Sequence, residues 1–149
     1  MQEVVFTSVE RNKALVRRLV DAWNTRNLAA LDELIAPDCI DHYATAGETR
    51  GRDWYKQDLV DFIKGFPDSQ WAVEDIIGEG DKVVVRLTLC GTHRGKFSGI
   101  KPTGKRIGCP EISIWRIANG KLVEEWGFGD RLGALQQLGV VPPIDRVGK

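Results

Sequence analysis

Apolar residues recur at helical spacing in the first half of the chain and predict three helices. These cover residues 8–26, 28–35 and 51–66. The first helix carries its apolar residues on one face: Leu15, Val16, Leu19, Val20 and Trp23. Pro37 and Pro67 follow the second and third helices, which they end because proline cannot continue a helix.

After Pro67 the pattern changes to β-rich runs bounded by turn residues. Four strands are predicted, at residues 71–77, 82–90, 107–117 and 122–128, followed by a short helix at 132–138. Asn119-Gly120 marks a hairpin between the last two strands, and short connections make neighbouring strands antiparallel. Helices first and strands after predict one α+β domain over residues 1–149, with a core at about 12–142. We expect the N-terminal helices to pack on the concave face of a curved, mostly antiparallel sheet.

Charge and cysteine content exclude several classes of protein. Lys+Arg and Asp+Glu both number 21, so no basic excess predicts binding to nucleic acid or to an anionic membrane. Residues 1–10 lack the apolar core of a secretory signal, and no run is long enough to span a bilayer. The three cysteines are far apart and form no C-x-x-C, which predicts reduced thiols and a cytoplasmic protein.

The strand at 107–117 carries the first candidate site. Alternation along a strand places Cys109, Glu111, Ser113, Trp115 and Ile117 on one face. A carboxyl group among apolar neighbours has a raised pKa and suits acid/base catalysis near neutral pH. Glu111 is therefore the main catalytic candidate, and Ser113 a group that orients the substrate. The alternative for Glu111 is an ion pair with an Arg or Lys on a neighbouring strand, for example Arg86.

Glu125 is the second carboxyl candidate. Alternation allows only one of Glu124 and Glu125 to face a pocket, and the hairpin register would bring Glu125 near Glu111. Two close carboxyl groups titrate separately, so that one is protonated while the other is ionised. The alternative is that Glu124 and Glu125 form an ordinary charged strand end.

Histidines and aromatic residues supply the remaining candidates. His42 could transfer protons and Tyr43 could donate a hydrogen bond to substrate, unless His42 only pins the neighbouring loop. His93 lies in a glycine-rich bend, where a structural role is favoured. Neither histidine has a partner residue at the spacing of metal ligands, so no metal site is predicted. The aromatic candidates for the wall of a substrate cavity are Trp23, Tyr55, Phe62 and Trp115.

Several short motifs occur in order along the chain. They are Ala22-Trp23-Asn24-x-x-Asn27-Leu28-x-x-Leu31-x-x-Leu34, Asp41-His42, Gly91-Thr92-His93-x-Gly95-x-Phe97-x-Gly99, Pro102-Thr103-Gly104-Lys105, Val123-Glu124-Glu125-Trp126 and Asp130-x-x-Gly133-x-x-Gln136-Gln137-Leu138-Gly139. In this order they resemble the SnoaL-like polyketide cyclases of the nuclear transport factor 2-like superfamily. The resemblance implies a cone-shaped α+β barrel with a deep pocket, usually a homodimer and usually without a cofactor. Enzymes on this fold cyclise polyketides, open epoxides, isomerise steroids or dehydrate, while other members only bind.

One departure from the family pattern bears on mechanism. The cyclases carry a general acid/base Asp two residues after a His on the last long strand, and those positions here are Gly127 and Glu125. We therefore expect a cofactor-independent acid/base enzyme of cyclase, isomerase, hydrolase or dehydratase type. Its substrate would be a hydrophobic oxygenated ring or polyketide-like molecule, with Glu111 the main proton-transfer group and His42 and Glu125 assisting. The alternatives are a non-catalytic protein that binds such a molecule, and an interaction module whose cavity is filled by aromatic side chains.

Overall fold

The described part of the chain forms four α-helices and six strands. A computed structural model describes residues 7–43 and 47–146, without the side chains of residues 43, 47–50 and 146. The helices are α1 (Ser8–Asn24), α2 (Leu28–Leu34), α3 (Arg52–Gly65) and α4 (Arg131–Gln137), with a 3-10 turn at Ile144–Arg146. The strands are β1 (Ile35–Tyr43), β2 (Gly47–Arg50), β3 (Gln70–Glu79), β4 (Lys82–Thr92), β5 (Arg106–Ala118) and β6 (Lys121–Gly129). Within these ranges no helix is both long and apolar enough to cross a membrane.

The strands form one sheet in the order β2-β1-β6-β5-β4-β3. All neighbouring pairs are antiparallel except β1 and β6, which are parallel. The α+β architecture with a mostly antiparallel sheet is confirmed. The expected barrel is not closed, because β2 and β3 remain as the two edges of the sheet in the described part of the chain.

The core lies between the helices and one face of the sheet. Alternation along β4 buries Val83, Val85, Leu87 and Leu89 towards the helices. The side-chain amide of Asn24 at the end of α1 bonds the backbone of Trp71 in both directions. Its Nδ2 donates to the Trp71 carbonyl and its Oδ1 accepts from the Trp71 N–H, each at 2.8 Å. This pair of bonds attaches the first helix to the edge strand.

A register shift in the β5–β6 hairpin determines what β6 presents to the core. The pairing moves from Arg116 with Glu124 to Ile117 with Leu122. Because the shift changes the phase of alternation, Leu122 and Glu125 are both buried although their positions differ in parity. The hairpin thus directs the acidic side chain of Glu125 towards the core.

Candidate active site

A cavity of about 700 Å³ lies between the inner face of the sheet, α3 and α4. This volume is in the usual range for small-molecule sites. A continuous aromatic wall follows one side of the cavity, formed by Tyr55, Trp23, Trp71 and Phe62. The ring centroids of successive members of this wall are 6.4, 5.5 and 5.6 Å apart. Such a surface suits a flat apolar ring system, and its open volume contradicts the alternative of a cavity filled by side chains.

Five carboxyl groups line this cavity. Asp41 comes from β1, Asp58 and Asp61 from α3, Glu111 from β5 and Glu125 from β6. Asp41 and Glu125 are direct register partners on the parallel strands, and both side chains are buried. The cavity is therefore apolar in its walls and acidic at several defined points.

Glu111 has a pKa close to neutral. Burial raises the pKa of its carboxyl group from an ordinary 4.5 to about 7, while the nearby Arg131 guanidinium and the Trp71 side chain oppose this shift. Arg131 is the first residue of α4, a helix capped by the Asp130 side chain, which accepts from the Gly133 N–H at 2.8 Å. A carboxyl group of this pKa can both accept and return a proton at physiological pH.

Asp41 and Glu125 are register partners whose pKa values are both raised. Burial raises the pKa of Glu125 well above its usual range, and the negative charge of Asp41 raises it further. Burial also raises the pKa of Asp41, assisted by Asp58 and opposed by His42 and Arg131. Because two adjacent buried carboxyl groups cannot both ionise at low cost, the pair retains a proton at neutral pH.

Tyr55 lies on the cavity wall as a neutral hydroxyl group. Burial raises its pKa well above the ordinary value, and the charges of Glu125 and Asp41 add to this effect. The Ser113 hydroxyl and the Trp115 indole lie close enough to Glu125 to favour its ionised form. The indole nitrogen of Trp115 nevertheless makes no hydrogen bond of normal length within the described residues.

Most of the residues predicted for the site lie on the cavity wall. They are Glu111, Glu125, Ser113, Trp23, Tyr55 and Phe62. Their chemical roles are taken up below as proposals.

His42 is not at the cavity, contrary to its prediction as a catalytic group. Side chains alternate along β1, so the inward position of Asp41 places His42 on the outer face. There its Nε2 lies 2.9 Å from Glu124 Oε1, and its ring stacks on Trp126 at 5.1 Å. Arg116 Nε donates to the other oxygen of Glu124 at 2.9 Å, so the three residues form a polar cluster on the outer face.

Trp115 is core rather than cavity wall. Its side chain is completely buried and packs edge-on against Trp23, at a centroid distance of 5.4 Å. Trp115 therefore supports the aromatic wall from behind. The side chain of Tyr43, the other substrate-binding candidate, lies outside the described residues.

The alternative partner suggested for Glu111 is also wrong. Arg86 lies on the outer face of the sheet, where its Nε donates to Asp75 Oδ2 at 2.6 Å. Glu111 is instead the register partner of Leu87, one position further along β4. Among the described residues, Arg131 is the cation that lowers the pKa of Glu111.

The sequence analysis missed the charged residues Asp41, Asp58 and Arg131 of the site and Trp71 of its aromatic wall. Asp58 had a usable signal, because it stands three residues after Tyr55 and four before Phe62 on the same helix. Asp41 and Arg131 had no sequence signal of their own. They are notable only as the neighbours of His42 and of the helix cap Asp130, respectively. Among the described residues no group of three or more His, Cys, Asp or Glu side chains could hold a metal ion.

The loop between β4 and β5 forms part of the cavity rim. Lys96, Phe97, Ser98 and Gly99 line the opening. His93 fastens this loop, because its Nδ1 is 3.1 Å from the Thr103 hydroxyl and its buried ring stacks on Phe66 at 5.1 Å. This contact agrees with the structural role favoured for His93 by the sequence.

Comparisons with known proteins agree on one family. The model of the SnoaL-like polyketide cyclases matches residues 13–138. The aklanonic acid methyl ester cyclase DauD of Streptomyces sp. (strain C5) is 32% identical over 132 residues, which cover 84% of this chain and 80% of the relative. The nogalonic acid methyl ester cyclase of Streptomyces nogalater is 30% identical over 130 residues, covering 85% and 96%.

Solved structures extend the agreement to the fold. IdmH from Streptomyces antibioticus, a candidate polyketide cyclase, superposes with a TM-score of 0.78 at 34% identity, covering 87% of this chain and 99% of that one. A SnoaL-like protein from Jannaschia sp. CCS1 superposes with a TM-score of 0.85 at 24% identity, covering 95% and 99%, which supports the fold alone. On these matches, the chain belongs to the SnoaL-like polyketide cyclase family.

Proposed function

We propose that the protein is a cofactor-independent acid/base enzyme that closes a ring in a hydrophobic, polyketide-like substrate. The observation that carries this proposal is Glu111, a carboxyl group with a pKa near neutral on the wall of an aromatic cavity of about 700 Å³. The relatives named above act on methyl esters of aklanonic and nogalonic acid. A polycyclic ester or ketone of this kind matches the flat apolar wall.

The proposed reaction is a redox-neutral aldol-type closure. The Glu111 carboxylate removes a proton from a carbon next to a carbonyl group, and the resulting electron pair forms a bond to the carbon of a second carbonyl. The oxygen of that second carbonyl then takes up a proton. Arg131 keeps part of the Glu111 population ionised at neutral pH, since its charge lowers the pKa of Glu111 against the effect of burial.

Turnover of aklanonic acid methyl ester by wild type and by Glu111→Gln tests the proposal. We expect kcat to fall by about 10²- to 10⁴-fold in Glu111→Gln, the usual contribution of a positioned acid/base group. Glu124→Gln is the matched control, because this carboxyl group lies on the outer face of the sheet. Unchanged turnover in Glu111→Gln would remove the proposal.

A non-catalytic binding role is the second candidate. Gly127 favours it, because the family's acid/base Asp is absent from that position. Tight binding of the same ester by wild type with no turnover would support this second function. Isomerase, dehydratase and hydrolase activities are related acid/base reactions that the same assay, with product identification, would distinguish.

We also propose a homodimer that forms through the outer face of the sheet. Ile77, Ile112 and Ile114 are 63%, 52% and 38% exposed there. A monomeric mass in sedimentation equilibrium would contradict the dimer.

The three free thiols fit a reducing, cytoplasmic location, and the balanced charge fits a protein that binds neither nucleic acid nor membranes.

A further inference from the structure

The inner end of the cavity holds a pair of acids that the proposed reaction has not yet used. Asp41 and Glu125 are register partners on β1 and β6, at 8% and 6% exposure. Neighbouring strands are about 4.8 Å apart, so both carboxyl groups reach the same point of the cavity. Both residues line that cavity together with Trp23 and Tyr55.

A free hydrogen-bonding position at this point indicates that the pair serves a ligand. Glu125 Oε2 is buried and makes no hydrogen bond within the described residues. A buried polar atom without a partner costs free energy that the fold has no structural reason to retain. An oxygen atom of a bound molecule would satisfy this group when the pair carries a proton.

We propose that Asp41 and Glu125 act together as a hydrogen-bond donor that binds and protonates a carbonyl oxygen of the substrate at the inner end of the cavity. This inference rests on the proposed function for its reaction, but not for its binding chemistry. Glu111 lies four positions along β5 from Trp115, the register partner of Glu125. The charge of Glu111 raises the pKa of Glu125 across the cavity, so the base and the acid pair lie close enough to act on neighbouring atoms of one substrate.

The proton balance of the step is complete. The Glu111 carboxylate takes a proton from carbon, the new carbon–carbon bond forms, and the electron pair of the attacked carbonyl moves to its oxygen. That oxygen receives the proton held by the pair. Solvent then returns a proton to the pair and removes one from Glu111, so that no oxidant or reductant is consumed.

The charged and titratable neighbours of the pair come from four elements. Asp58 and Tyr55 face it from α3, Arg131 from α4, Glu111 from β5, and Cys39 and His42 belong to β1. Arg131 and His42 lower the pKa of Asp41, while Asp58 raises it. Since the acids outnumber the cations, the site favours a neutral oxygen and disfavours a carboxylate.

Binding of two probes with the same ring system tests this selectivity. The probes are 2-acetylnaphthalene, a neutral ketone, and 2-naphthoate, its carboxylate counterpart, measured by calorimetry at pH 6–9.5. All measurements use the Glu111→Gln protein, so that the titration of Glu111 does not contribute. We expect the ketone to bind more tightly than the carboxylate by about 100-fold, because the pair carries a net negative charge that repels a second carboxylate.

The dependence of ketone affinity on pH tests the shared proton. With Asp41 and Glu125 intact, affinity should fall by about tenfold as the pair loses its last proton on the alkaline side. Asp41→Asn removes the neighbouring negative charge, which lowers the pKa of Glu125, so the fall should move to lower pH by about one unit. Glu125→Gln donates a hydrogen bond without titrating, so its affinity should not change with pH.

Glu124→Gln is the control, and its profile should match that of the parent protein. An unshifted profile in Asp41→Asn, or equal affinity for the two probes, would overturn the inference. Should either variant fail to fold, carboxyl ¹³C NMR of the parent protein decides. Coupled titration of Asp41 and Glu125 supports the pair, and independent titration near pH 4 refutes it. Turnover is not a readout here, so an inactive protein with the expected profiles would contradict the proposed function but not the pair.

Discussion

Replacing Glu111 with Gln should change how the stability of the protein depends on pH. The pKa of Glu111 rises from an ordinary 4.5 to about 7 on folding, because burial disfavours its charge. The proton on Glu111 therefore stabilises the folded state. This contribution is complete below pH 4.5 and is lost as the pH rises through 7. Gln has nearly the same shape and does not titrate, so the variant should not lose it.

The size of the effect follows from the pKa difference. At about 1.4 kcal/mol per pKa unit, the interval from 4.5 to about 7 corresponds to about 3 kcal/mol of unfolding free energy. Water that enters the cavity screens the carboxylate, so this value is an upper bound. Relative to wild type, Glu111→Gln should thus gain up to about 3 kcal/mol between pH 4.5 and pH 8.

Urea denaturation at half-unit pH intervals measures this difference directly. Comparing variant with wild type cancels the titration of Asp41 and Glu125, which changes stability in the same direction. Glu124→Gln provides a control of opposite sign, because hydrogen bonding to His42 lowers the pKa of Glu124. The unfolding free energy that Glu124→Gln loses relative to wild type should be largest at neutral pH and should disappear as the pH falls. A difference between Glu111→Gln and wild type that is independent of pH would refute the reasoning, and with it the basis for Glu111 as the base.

Three further substitutions test how the cavity is held together. Asn24→Ala should cost about 2–3 kcal/mol in urea denaturation, because it leaves the N–H and the carbonyl of Trp71 without their partners; a cost below about 0.5 kcal/mol would contradict this role. Asp130→Ala should cost about 1 kcal/mol as a lost helix cap. It should also reduce turnover of aklanonic acid methyl ester, since α4 presents Arg131 to Glu111, and unchanged kcat would argue against that positioning. Trp115→Ala should cost about 3–5 kcal/mol as a core truncation, and a much smaller loss would place Trp115 at a collapsible site.

Much of the fold was predictable because its periodic segments are long. The strands β4, β5 and β6 alternate clearly, and Asn119-Gly120 identifies their hairpin. The strand β1 is not among the four strands predicted above, since Pro37, Asp38 and His42 interrupt any apolar pattern. Its strand character comes from parallel pairing with β6, and no local signal reports a partner so distant in sequence.

A site residue on a strand could be predicted only where the sequence itself identifies which face of that strand is buried. Glu111 and Ser113 lie in a long strand whose apolar neighbours identify the inner face. In β1 the choice between Asp41 and His42 depends on the register with β6, so His42 was assigned to the wrong face. Arg86 is not the partner of Glu111, because the register pairs Glu111 with Leu87, one position further along β4. Such errors arise because one residue of displacement exchanges the two faces of a sheet.

The parallel pairing of β1 with β6 also has a consequence for how the protein acquires activity. Asp41 is synthesised early, and its partner Glu125 belongs to the last strand. Contacts between distant segments form late and slowly, because a long loop must close before they contribute stability. During synthesis, the acidic end of the cavity can therefore form only after β6 has been made and has paired with β1. A nascent chain that lacks β6 should expose the aromatic wall without its acid pair, a state in which it depends on chaperones rather than on substrate for protection.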